Sequence, residues 1–559
     1  MKFKLNGKSA LAAVFALFLF LTVFLHWAAG TFVSECGRYG DEGMHYVTSL
    51  FLKDFLLSGT WSKPMAFAQD YYLHFPKVGL GNWPPFFPMV NAAWMLVMGD
   101  SRIGLMTLSA IWTAIMAFLA WRDVRDEGIV ALVACAALIA SPTSQYLTSM
   151  VMAEILLTIL TWLAFRCLLW YLDSGRPLMA VAFGIFAMLA IMTKGNAWVL
   201  ALAAPLTILL TGNWRRLLDK WLWLGIGIIA VVCVPYTLWS MKMVVHGWDS
   251  TSAPGAERLL LSAKLHLQYM VWIIGWPLFL IVLAGIREKV FRPLFAGRKP
   301  ESFWTGMLVL GITVMGFHIA IPTSIEPRKI YQITPVLGVF LAAGLGFLAR
   351  RLASVIPGWP APALSVATLG ALVFLGTTFG IQESWRPGFG PAIEKILSLG
   401  DTERAAVLVS SNPFMLDQEA GIIASWAEVD RAKGNYLVRA SKQLLGVRVD
   451  VPRFELPARF HTADEIQSAL LAVPVSYAIV HHTPSQRDYL YVKLLDDMLA
   501  AHPESWRPFY SSTRQIEGKP HELRVFRSVA PWQGKPVKIN IDLTQRIGEK
   551  LATPGGETK

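Results

Sequence analysis

Long apolar runs separated by short polar segments fill the first 382 residues of the chain. A helix that crosses a membrane needs about 20 predominantly apolar residues. Runs near that length predict eleven spans, at 10–29, 102–121, 128–142, 147–172, 176–193, 196–212, 221–243, 268–286, 303–321, 331–349 and 361–382. The first run follows three lysines and is longer than the apolar core of a signal peptide, so we expect an uncleaved helix, with a cleaved signal peptide as the alternative.

A further apolar stretch at 84–99 is short, and the distribution of arginine and lysine decides whether it crosses. Cytoplasmic loops carry an excess of these cations. If 84–99 is an amphipathic or re-entrant helix, every strongly basic loop falls on one side of the membrane, namely 121–127, 213–220, 287–299 and 349–351. The N-terminus is then cytoplasmic. The segments predicted to lie outside are the first loop at 30–101, a loop at 244–267 and the tail at 383–559.

Residues 383–559 have a different pattern, in which charged residues return and short apolar runs alternate with helical ones. Strands are predicted at 405–410, 435–441 and 475–482, and a helix at 416–430. Another helix opens at Thr462 with Glu465 three residues later, which is a capping box. This alternation predicts a small external α/β domain after a membrane module at 1–382. The end of the chain, 529–559, is predicted to be loosely ordered.

Composition agrees with an α-helical protein that crosses the cell inner (plasma) membrane several times. Of 559 residues, 54% are apolar and only 16% are charged, against roughly 25% charged in soluble domains. The net charge of +12 is explained by basic cytoplasmic loops, and no nucleic-acid-binding motif is present. The four cysteines have no zinc-ligand spacing, and we expect no structural disulfide.

The stretch "ECGRYGDEGMHYV", residues 35–47, places two adjacent carboxylates, Asp41 and Glu42, just after the first predicted span. The topology puts them outside, at the edge of the membrane. Other polar residues fall on the same side, and these are His45, His74, Lys77, Glu154, Lys194, Glu326, Arg328 and Lys329. A carboxylate there can accept a proton from an attacking hydroxyl or amine, and cations can hold a phosphate leaving group.

Each of these residues also has a structural interpretation. Asp41 or Glu42 can cap the following helix, since Asp is common at that position. Glu154 is predicted to lie two turns inside the fourth span, where a carboxylate costs about 2.5–3.5 kcal/mol, and a lysine is the expected partner. Lys194 can reach the headgroups as an extended side chain, and Arg328 can bind headgroups. His74 can be a hydrogen-bonding loop residue.

Several motifs in order along the chain resemble the GT-C glycosyltransferases. They are the acidic pair at 41–42, "PP" at 84–85, "GDSRIGL" at 99–105, "MAE" at 152–154, "TKG" at 193–195 and "EPRKIYQITPVL" at 326–337. The pattern is most similar to the branch of the protein mannosyltransferases and aminoarabinose transferases, which use dolichyl- or undecaprenyl-phosphate sugars. One departure is Trp83, which stands where many relatives have a lysine before the two prolines.

The resemblance implies an enzyme that moves a sugar from a polyprenyl-phosphate donor to a lipid, glycan or protein acceptor on the external face, with inversion. Asp41 or Glu42 would be the catalytic carboxylate, and Glu154 would organise the acceptor or the site. The donor phosphate would be bound by Lys194, Arg328 and, in place of the missing lysine, Lys77. His45, His74 and Glu326 are further candidates for the cavity.

Metal dependence stays open at this point, because some members of the superfamily need a divalent metal and others do not. Asp41, Glu42 and His74 are the residues that would build such a site, although no tight ligand motif is present. Two other functions are alternatives, namely a lipid or polysaccharide transporter and an envelope assembly protein without catalysis. Transporters favour polar sites at the membrane midplane, whereas the polar residues here gather at one face.

Overall fold

The computed structural model of the chain describes residues 7–79, 81–243, 255–321, 324–359, 361–399, 406–411, 418–432, 434–446, 458–484, 489–529, 539–542 and 550–553. An apolar bundle of helices precedes a smaller domain built around a β-sheet. The bundle contains α1 (Lys8–Ala28), α2 (Gly40–Ser58), α3 (Pro64–His74), α4 (Phe86–Met98), α5 (Arg102–Val124), α6 (Ile129–Ala140), α7 (Pro142–Thr148), α8 (Glu154–Ser174), α9 (Pro177–Thr193), α10 (Leu200–Leu210), α11 (Lys220–Met243), α12 (Gly255–Ile274), α13 (Trp276–Ile286), α14 (Arg292–Phe295), α15 (Ser302–Ala320), α16 (Thr334–Val355) and α17 (Pro362–Thr377).

Six helices in the described part of the chain are long and apolar enough to cross a membrane, or up to eight if each of two bent helix pairs is one span. The six are centred on α1, α5, α8, α11, α15 and α16. Helix α4, which covers most of the short stretch at 84–99, has 13 residues. Together with α9, α10 and α17 it belongs to the shorter apolar helices. A protein that crosses the membrane several times is therefore supported, while the count of eleven spans stays a prediction.

The predicted span at 147–172 is wrong at its beginning. Pro142 starts the short helix α7 after Ser141, whose hydroxyl accepts a hydrogen bond from the Ser144 backbone N–H at 3.2 Å. Proline suits the first position of a helix because it has no N–H to leave unpaired. The chain then leaves the helical conformation, and α8 begins at Glu154. Glu154 therefore lies in the first turn of its helix, not two turns inside a span.

A second correction concerns the predicted external loop at 244–267 and the span at 268–286. Helix α12 begins at Gly255, inside the predicted loop, and ends at Ile274, inside the predicted span. Gly275 has a φ of +77°, which favours glycine, and the axes of α12 and the following helix differ by 97°. Apolar length alone does not reveal this break. Residues 244–254 lie outside the described part of the chain.

The C-terminal α/β domain has a five-stranded sheet in the order β2-β1-β3-β5-β4. Its strands are β1 (Ala406–Ser410), β2 (Tyr436–Arg439), β3 (Val475–His482), β4 (Trp506–Ile516) and β5 (Lys519–Ser528). Strand β1 pairs in parallel with β2 and β3, and β5 pairs antiparallel with β3 and β4. The helices are α18 (Phe389–Leu397), α19 (Glu419–Val429), α20 (Ala463–Ala472) and α21 (Leu490–Ala501).

The three predicted strands are confirmed in the described residues, as is the capping box of Thr462 and Glu465 at the start of α20. The sequence analysis missed the hairpin of β4 and β5, whose outward-facing positions are polar. Its signal is the turn at Glu517 and Gly518, which both have positive φ. Within the predicted loose tail, β6 (Asn540–Asp542) pairs with β7 (Lys550–Ala552), and most of 529–559 lies outside the described residues.

The C-terminal domain rests on the first turn of α2, which carries the acidic pair. A Cβ atom added at Gly43 would lie 2.4 Å from the carbonyl oxygen of Ala420 in α19, and one at Gly421 would lie 2.5 Å from the oxygen of Cys36. Arg38 adds an ion pair with Glu517 at 2.6 Å. Glycine is needed at these positions because the two backbones approach so closely.

We expect Gly43→Ala to push α19 away from α2, because the added methyl would overlap the Ala420 carbonyl group. Overpacking of this kind lowers the free energy of unfolding by about 1–3 kcal/mol. The thermal unfolding midpoint of the purified chain and the rate of proteolytic release of the C-terminal domain measure the effect. Gly316→Ala in α15 is the control, since no atom lies within 4 Å of its added Cβ. Equal behaviour of the two variants would contradict the tight contact.

Candidate functional site

Arg328 is the centre of a buried charge cluster. It lies in a short 3₁₀ helix, Pro327–Ile333, which leads into α16. Its Nη1 lies 2.5 Å from Asp41 Oδ2 and 3.6 Å from Glu154 Oε1, and its Nε donates to Glu326 Oε2 at 2.6 Å. One guanidinium group therefore joins three carboxylates that the sequence places 113 and 172 residues apart along the chain.

Tyr39, just before α2, holds this guanidinium from one face. Its ring lies under Arg328, with the guanidinium carbon 4.2 Å from the ring centre. The phenol oxygen accepts from Arg328 Nη2 at 3.0 Å and donates to Glu326 Oε2 at 2.7 Å. Stacking and hydrogen bonding together leave the planar group little freedom to rotate.

Lys194 and Glu154 form the second half of the cluster. Lys194 directly follows α9, and its Nζ donates to Glu154 Oε1 at 2.6 Å. Both side chains are buried, so Lys194 does not extend to the headgroups as the alternative interpretation proposed. Its ammonium group also lies 5.1 Å from the centre of the Trp83 ring. Glu154 Oε2 has no hydrogen-bond partner among the described residues and is the one oxygen of the pair left open.

The cations keep the carboxylates of the cluster ionised. Burial would raise the pKa of Asp41, but Arg328 and Lys194 hold it well below its usual range. Burial likewise opposes ionisation of Glu326, and Arg328 with Lys329 lowers its pKa to about 2. At neutral pH both are therefore carboxylates, able to accept a hydrogen bond or a proton.

Lys329 stands beside this cluster without a bound partner. In the part of the chain that the structure describes, its ammonium group makes no hydrogen bond or ion pair, although it interacts electrostatically with Arg328, Lys194, Glu326 and Asp41. Lys194 and Arg328 are each committed to carboxylates in the same region. Lys329 is thus the cation that an incoming anion can engage without breaking an existing pair.

Glu42 does not join the cluster, although it follows Asp41 directly. Its Oε1 accepts from Arg102 Nη2 at 2.6 Å and Nε at 3.2 Å, and the pair is fully buried. The backbone N–H groups of Gly37 and Val151 also donate to Glu42. The N-cap position of α2 is Tyr39, so neither carboxylate is the cap that the sequence suggested as an alternative. Glu42 fixes the loops around the site, while Asp41 faces Arg328.

His45 lies at the edge of the cluster. Its ring is 5.6 Å from that of Trp83 and 5.0 Å from that of Phe87, and it interacts electrostatically with Asp41 and Lys194. Burial lowers the pKa of His45 to about 4. Its Nε2 has no hydrogen-bond partner among the described residues. The imidazole is therefore neutral at physiological pH and borders the space around Asp41.

His74 is directed toward the C-terminal domain. Its Nδ1 is 2.8 Å from the Asn435 carbonyl oxygen, and its ring stacks on Tyr436 with 4.3 Å between centres. It links the first loop to strand β2, which agrees with the hydrogen-bonding alternative. Lys77 is buried three residues farther along the same loop. Its role as a phosphate ligand stays a prediction.

The arrangement does not resemble a metal site. Among the described residues, no group of three or more His, Cys, Asp or Glu side chains is placed to hold a metal ion. Asp41, Glu154 and Glu326 each contact a cationic side chain instead. His74, one of the proposed ligands, points elsewhere. The donor set is that of an ion-pair network, and charge balance in the site comes from arginine and lysine.

Sequence reasoning missed three side chains that shape this region, namely Tyr39, Trp83 and Arg102. Tyr39 precedes the acidic pair by two residues, and Trp83 was noted only as a departure from a pattern. Arg102 belongs to the "GDSRIGL" motif, so a charged residue at a helix start was visible. Its partner could not be named, because Glu42 lies 60 residues earlier in the chain.

Comparison with known proteins gives a family match and several similar chains. Residues 82–239 match the family described as dolichyl-phosphate-mannose-protein mannosyltransferase. The lipopolysaccharide core galacturonosyltransferase RgtA of Rhizobium johnstonii is 26% identical over 324 residues, which are 52% of this chain and 62% of that protein. Residues 82–239 contain Glu154 and Lys194 of the site. The alignment with RgtA covers less than two thirds of its length.

Two solved structures have a similar fold. ArnT from Cupriavidus metallidurans, bound to undecaprenyl phosphate, superposes with a TM-score of 0.54 at 16% identity over 92% of this chain and 98% of ArnT. An oligosaccharyltransferase from Archaeoglobus fulgidus, tethered to an acceptor peptide, gives 0.53 at 13% identity over 84% of this chain and 69% of its own. At such identities the likeness establishes a common fold, which with ArnT extends over nearly the whole of both chains.

We expect Glu42→Gln to lower the free energy of unfolding by about 3–5 kcal/mol, because it leaves the Arg102 guanidinium buried without a negative partner. Thermal unfolding of the purified chain measures the change. Glu517→Gln is the control, since the Arg38–Glu517 pair has a half-exposed carboxylate and contributes less than about 1 kcal/mol. A Glu42→Gln chain as stable as the control would contradict the structural role of this pair.

Acid is expected to destabilise the chain through His45. Its imidazole stays neutral in the folded state down to about pH 4, whereas the unfolded chain binds the proton near pH 6.5. The unfolded state then holds more protons between these values, so stability falls as the pH decreases from 6.5 toward 4. The unfolding midpoint of His45→Phe should fall less between pH 7 and pH 5 than that of the unsubstituted chain. Substitution of the exposed His461 by Phe should leave the pH dependence unchanged, and an identical decrease in all three chains would refute the assignment.

Proposed function

We propose that the chain is a GT-C glycosyltransferase, which transfers a sugar from a polyprenyl-phosphate donor to a lipid, glycan or protein acceptor on the external face of the inner membrane. The observation that carries this proposal is the cluster in which Arg328 and Lys194 hold Asp41 and Glu154 together. ArnT, which shares the fold, is bound to undecaprenyl phosphate, and RgtA acts on the lipopolysaccharide core. The first supports a lipid-linked donor, and the second supports a glycolipid acceptor.

The ends of the helices support a site at one face of the membrane. Glu154 begins α8, Lys194 directly follows the next helix, α9, and Arg328 precedes α16. Helix α8 leaves the site and α9 returns to it, so the beginning of the first helix and the end of the second lie close together. A one-sided site suits an enzyme that takes a donor from the bilayer and an acceptor from the adjacent aqueous space, and it argues against a transport path through the midplane.

Asp41 is the proposed proton acceptor. In the reaction, an acceptor oxygen or nitrogen attacks the anomeric carbon of the donor sugar, and the bond from that carbon to the phosphate oxygen breaks. The proton of the attacking group passes to the Asp41 carboxylate, and the electron pair of the broken bond stays on the polyprenyl phosphate. A direct displacement of this kind inverts the anomeric centre.

The cations of the cluster act on the leaving group. A sugar phosphodiester carries one negative charge, and the released phosphate monoester carries up to two, so negative charge grows as the bond breaks. Lys329, which has no partner in the described chain, and Lys194 can stabilise that charge. A phosphate bound beside Arg328 would share that guanidinium group with Asp41 and add negative charge nearby, so the pKa of Asp41 would rise and Asp41 would become a stronger base.

Glu154 has a different role from Asp41. Its Oε1 fixes Lys194, and its Oε2 has no hydrogen-bond partner among the described residues. The free oxygen can accept a hydrogen bond from an acceptor hydroxyl. We therefore assign Glu154 to placing the acceptor and Lys194, with Asp41 as the base.

Asp41→Asn tests the proposal, because the amide keeps the shape of the side chain but cannot accept the proton. Loss of a general base lowers a rate by about 100-fold to 10,000-fold. Mass spectrometry of envelope glycolipids and glycoproteins, from cells with and without the chain, identifies the product, and its rate of formation in isolated membranes is then compared. We expect at least a 100-fold decrease with normal accumulation of the protein.

Asp54→Asn is the matched control, since it makes the same change on α2 at a residue that contacts Tyr71 instead of the cluster. It should keep normal transfer. Full activity of Asp41→Asn would overturn the catalytic assignment. Envelope glycolipids and glycoproteins that do not depend on the chain at all would favour transport or an assembly role over glycosyl transfer.

A further inference from the structure

A polar cavity of about 550 Å³ opens at the other end of the helices, far from the charge cluster. It is lined by Gly212, Asn213, Trp214, Arg215, Arg216 and Asp219, which connect α10 to α11. Helix α8 starts at Glu154 in the cluster and ends at Ser174 beside this connection. Its 21 residues span about 31 Å at 1.5 Å per residue, which is close to the thickness of the hydrocarbon core of a bilayer.

Two neighbouring arginines of the cavity have different partners. Arg216 lies 3.5 Å from Asp219 and stacks on the ring of Tyr171, whose hydroxyl donates to Asp219 at 2.6 Å. Arg216 is thereby held in place as part of the cavity wall. Arg215 is exposed and lies over the Trp214 ring at 5.5 Å, and no ion pair is found for it in the described residues. Its charge is available to a ligand.

A third cation enters from a separate part of the chain. Lys299, in the connection before α15, brings its ammonium group within 3.0 Å of the point where a side chain at Gly212 would begin. A glycine with a φ of +74° at this turn leaves space for it. Lys299 is exposed and makes no ion pair with the described residues. The cavity therefore joins three cations and one carboxylate, Asp219, which leaves it with excess positive charge.

Several other basic residues at this end of the helices are paired with carboxylates. Glu127 binds Arg350 at 2.6 Å and Lys289 at 2.8 Å. Glu288 binds Arg292 at 2.6 Å. Arg215 and Lys299, in contrast, have no carboxylate partner among the described residues, and both lie close to the same cavity.

Large exposed apolar side chains lie in the same connection and at the start of α11. Trp214 and Trp223 are 54% and 58% exposed, and Leu218 is 80% exposed. These exposed side chains lie one helix length from the charge cluster. Tryptophan and leucine at this distance are typical of the membrane region where acyl chains meet headgroups. A free aqueous anion would gain nothing from these side chains, whereas a phospholipid presents a phosphate and an apolar tail together.

We propose that this cavity binds the phosphate of an anionic phospholipid headgroup. Arg215 and Lys299 contact the phosphate oxygens, Arg216 forms the fixed wall, and Trp214 packs against the glycerol and the first part of the acyl chains. The proposal does not depend on the glycosyl transfer, because it concerns residues at the opposite end of the helices.

Native mass spectrometry of the full-length chain in detergent tests this site. Phosphatidylglycerol and phosphatidylcholine are titrated separately, and the variant is the double substitution Arg215→Gln and Lys299→Gln, which leaves Arg216 and its partners intact. The control is Arg125→Gln with Arg351→Gln. Both residues are exposed and lie near the C-terminal ends of α5 and α16. The control substitutions therefore remove the same two positive charges, but outside the cavity.

We expect the unsubstituted chain and the control to retain phosphatidylglycerol in preference to phosphatidylcholine, and the cavity variant to bind it at least tenfold more weakly. An equal loss in the control and the cavity variant would show a general charge effect and overturn the site. Unchanged binding in the cavity variant would do the same. Displacement of the lipid by inorganic phosphate would assign the cavity to a free anion instead of a lipid.

Discussion

The buried pairing of Glu42 with Arg102 is the contact on which the charged end of this protein depends. Removing two charges from water is unfavourable unless their remaining hydrogen-bonding groups are satisfied. Here the guanidinium group also donates to the carbonyl oxygens of Thr31, Ser34 and Ser149, so it fixes three segments at once. The backbone N–H of Arg102 donates to Glu428 in α19 at 2.7 Å, which connects the same point to the C-terminal domain. The position of the first turn of α2 follows from this set of contacts.

Two adjacent carboxylates have acquired separate tasks because a helix turns about 100° from one residue to the next. Glu42 points into the protein and meets Arg102, while Asp41 points toward Arg328. The first is an acceptor for backbone and guanidinium groups and cannot reach a substrate. The second is held in an ionised state beside cations that a phosphate can attract. The structural pair thereby provides the rigid support that a precisely placed base requires.

The sequence predicted this face of the molecule well, because charged loops and apolar lengths constrain which helix ends lie together. Arg328, Lys194, Glu154 and Asp41 were grouped correctly in space on that basis, although their chemical roles stay predictions. The sequence could not predict the direction of individual side chains or the points at which a helix is interrupted. Nothing local distinguishes the directions of Asp41 and Glu42, and an apolar run does not show that a helix begins only at Glu154. Long-range partners such as Arg102 become visible only when the chain is folded.

The carboxylates around Arg328 also determine which molecules the site can select. Asp41 and Glu326 already satisfy the guanidinium group, so an incoming phosphate gains only the difference between new contacts and those it replaces. A small anion dissolved in water brings no other source of binding energy. A donor with a polyprenyl tail is confined to the plane of the bilayer. Its local concentration there is far higher than that of the same amount of a solute dissolved in the surrounding water. For the donor proposed above, discrimination in favour of lipid-linked sugars would follow from confinement to two dimensions, and the pocket would need no strong affinity for phosphate itself.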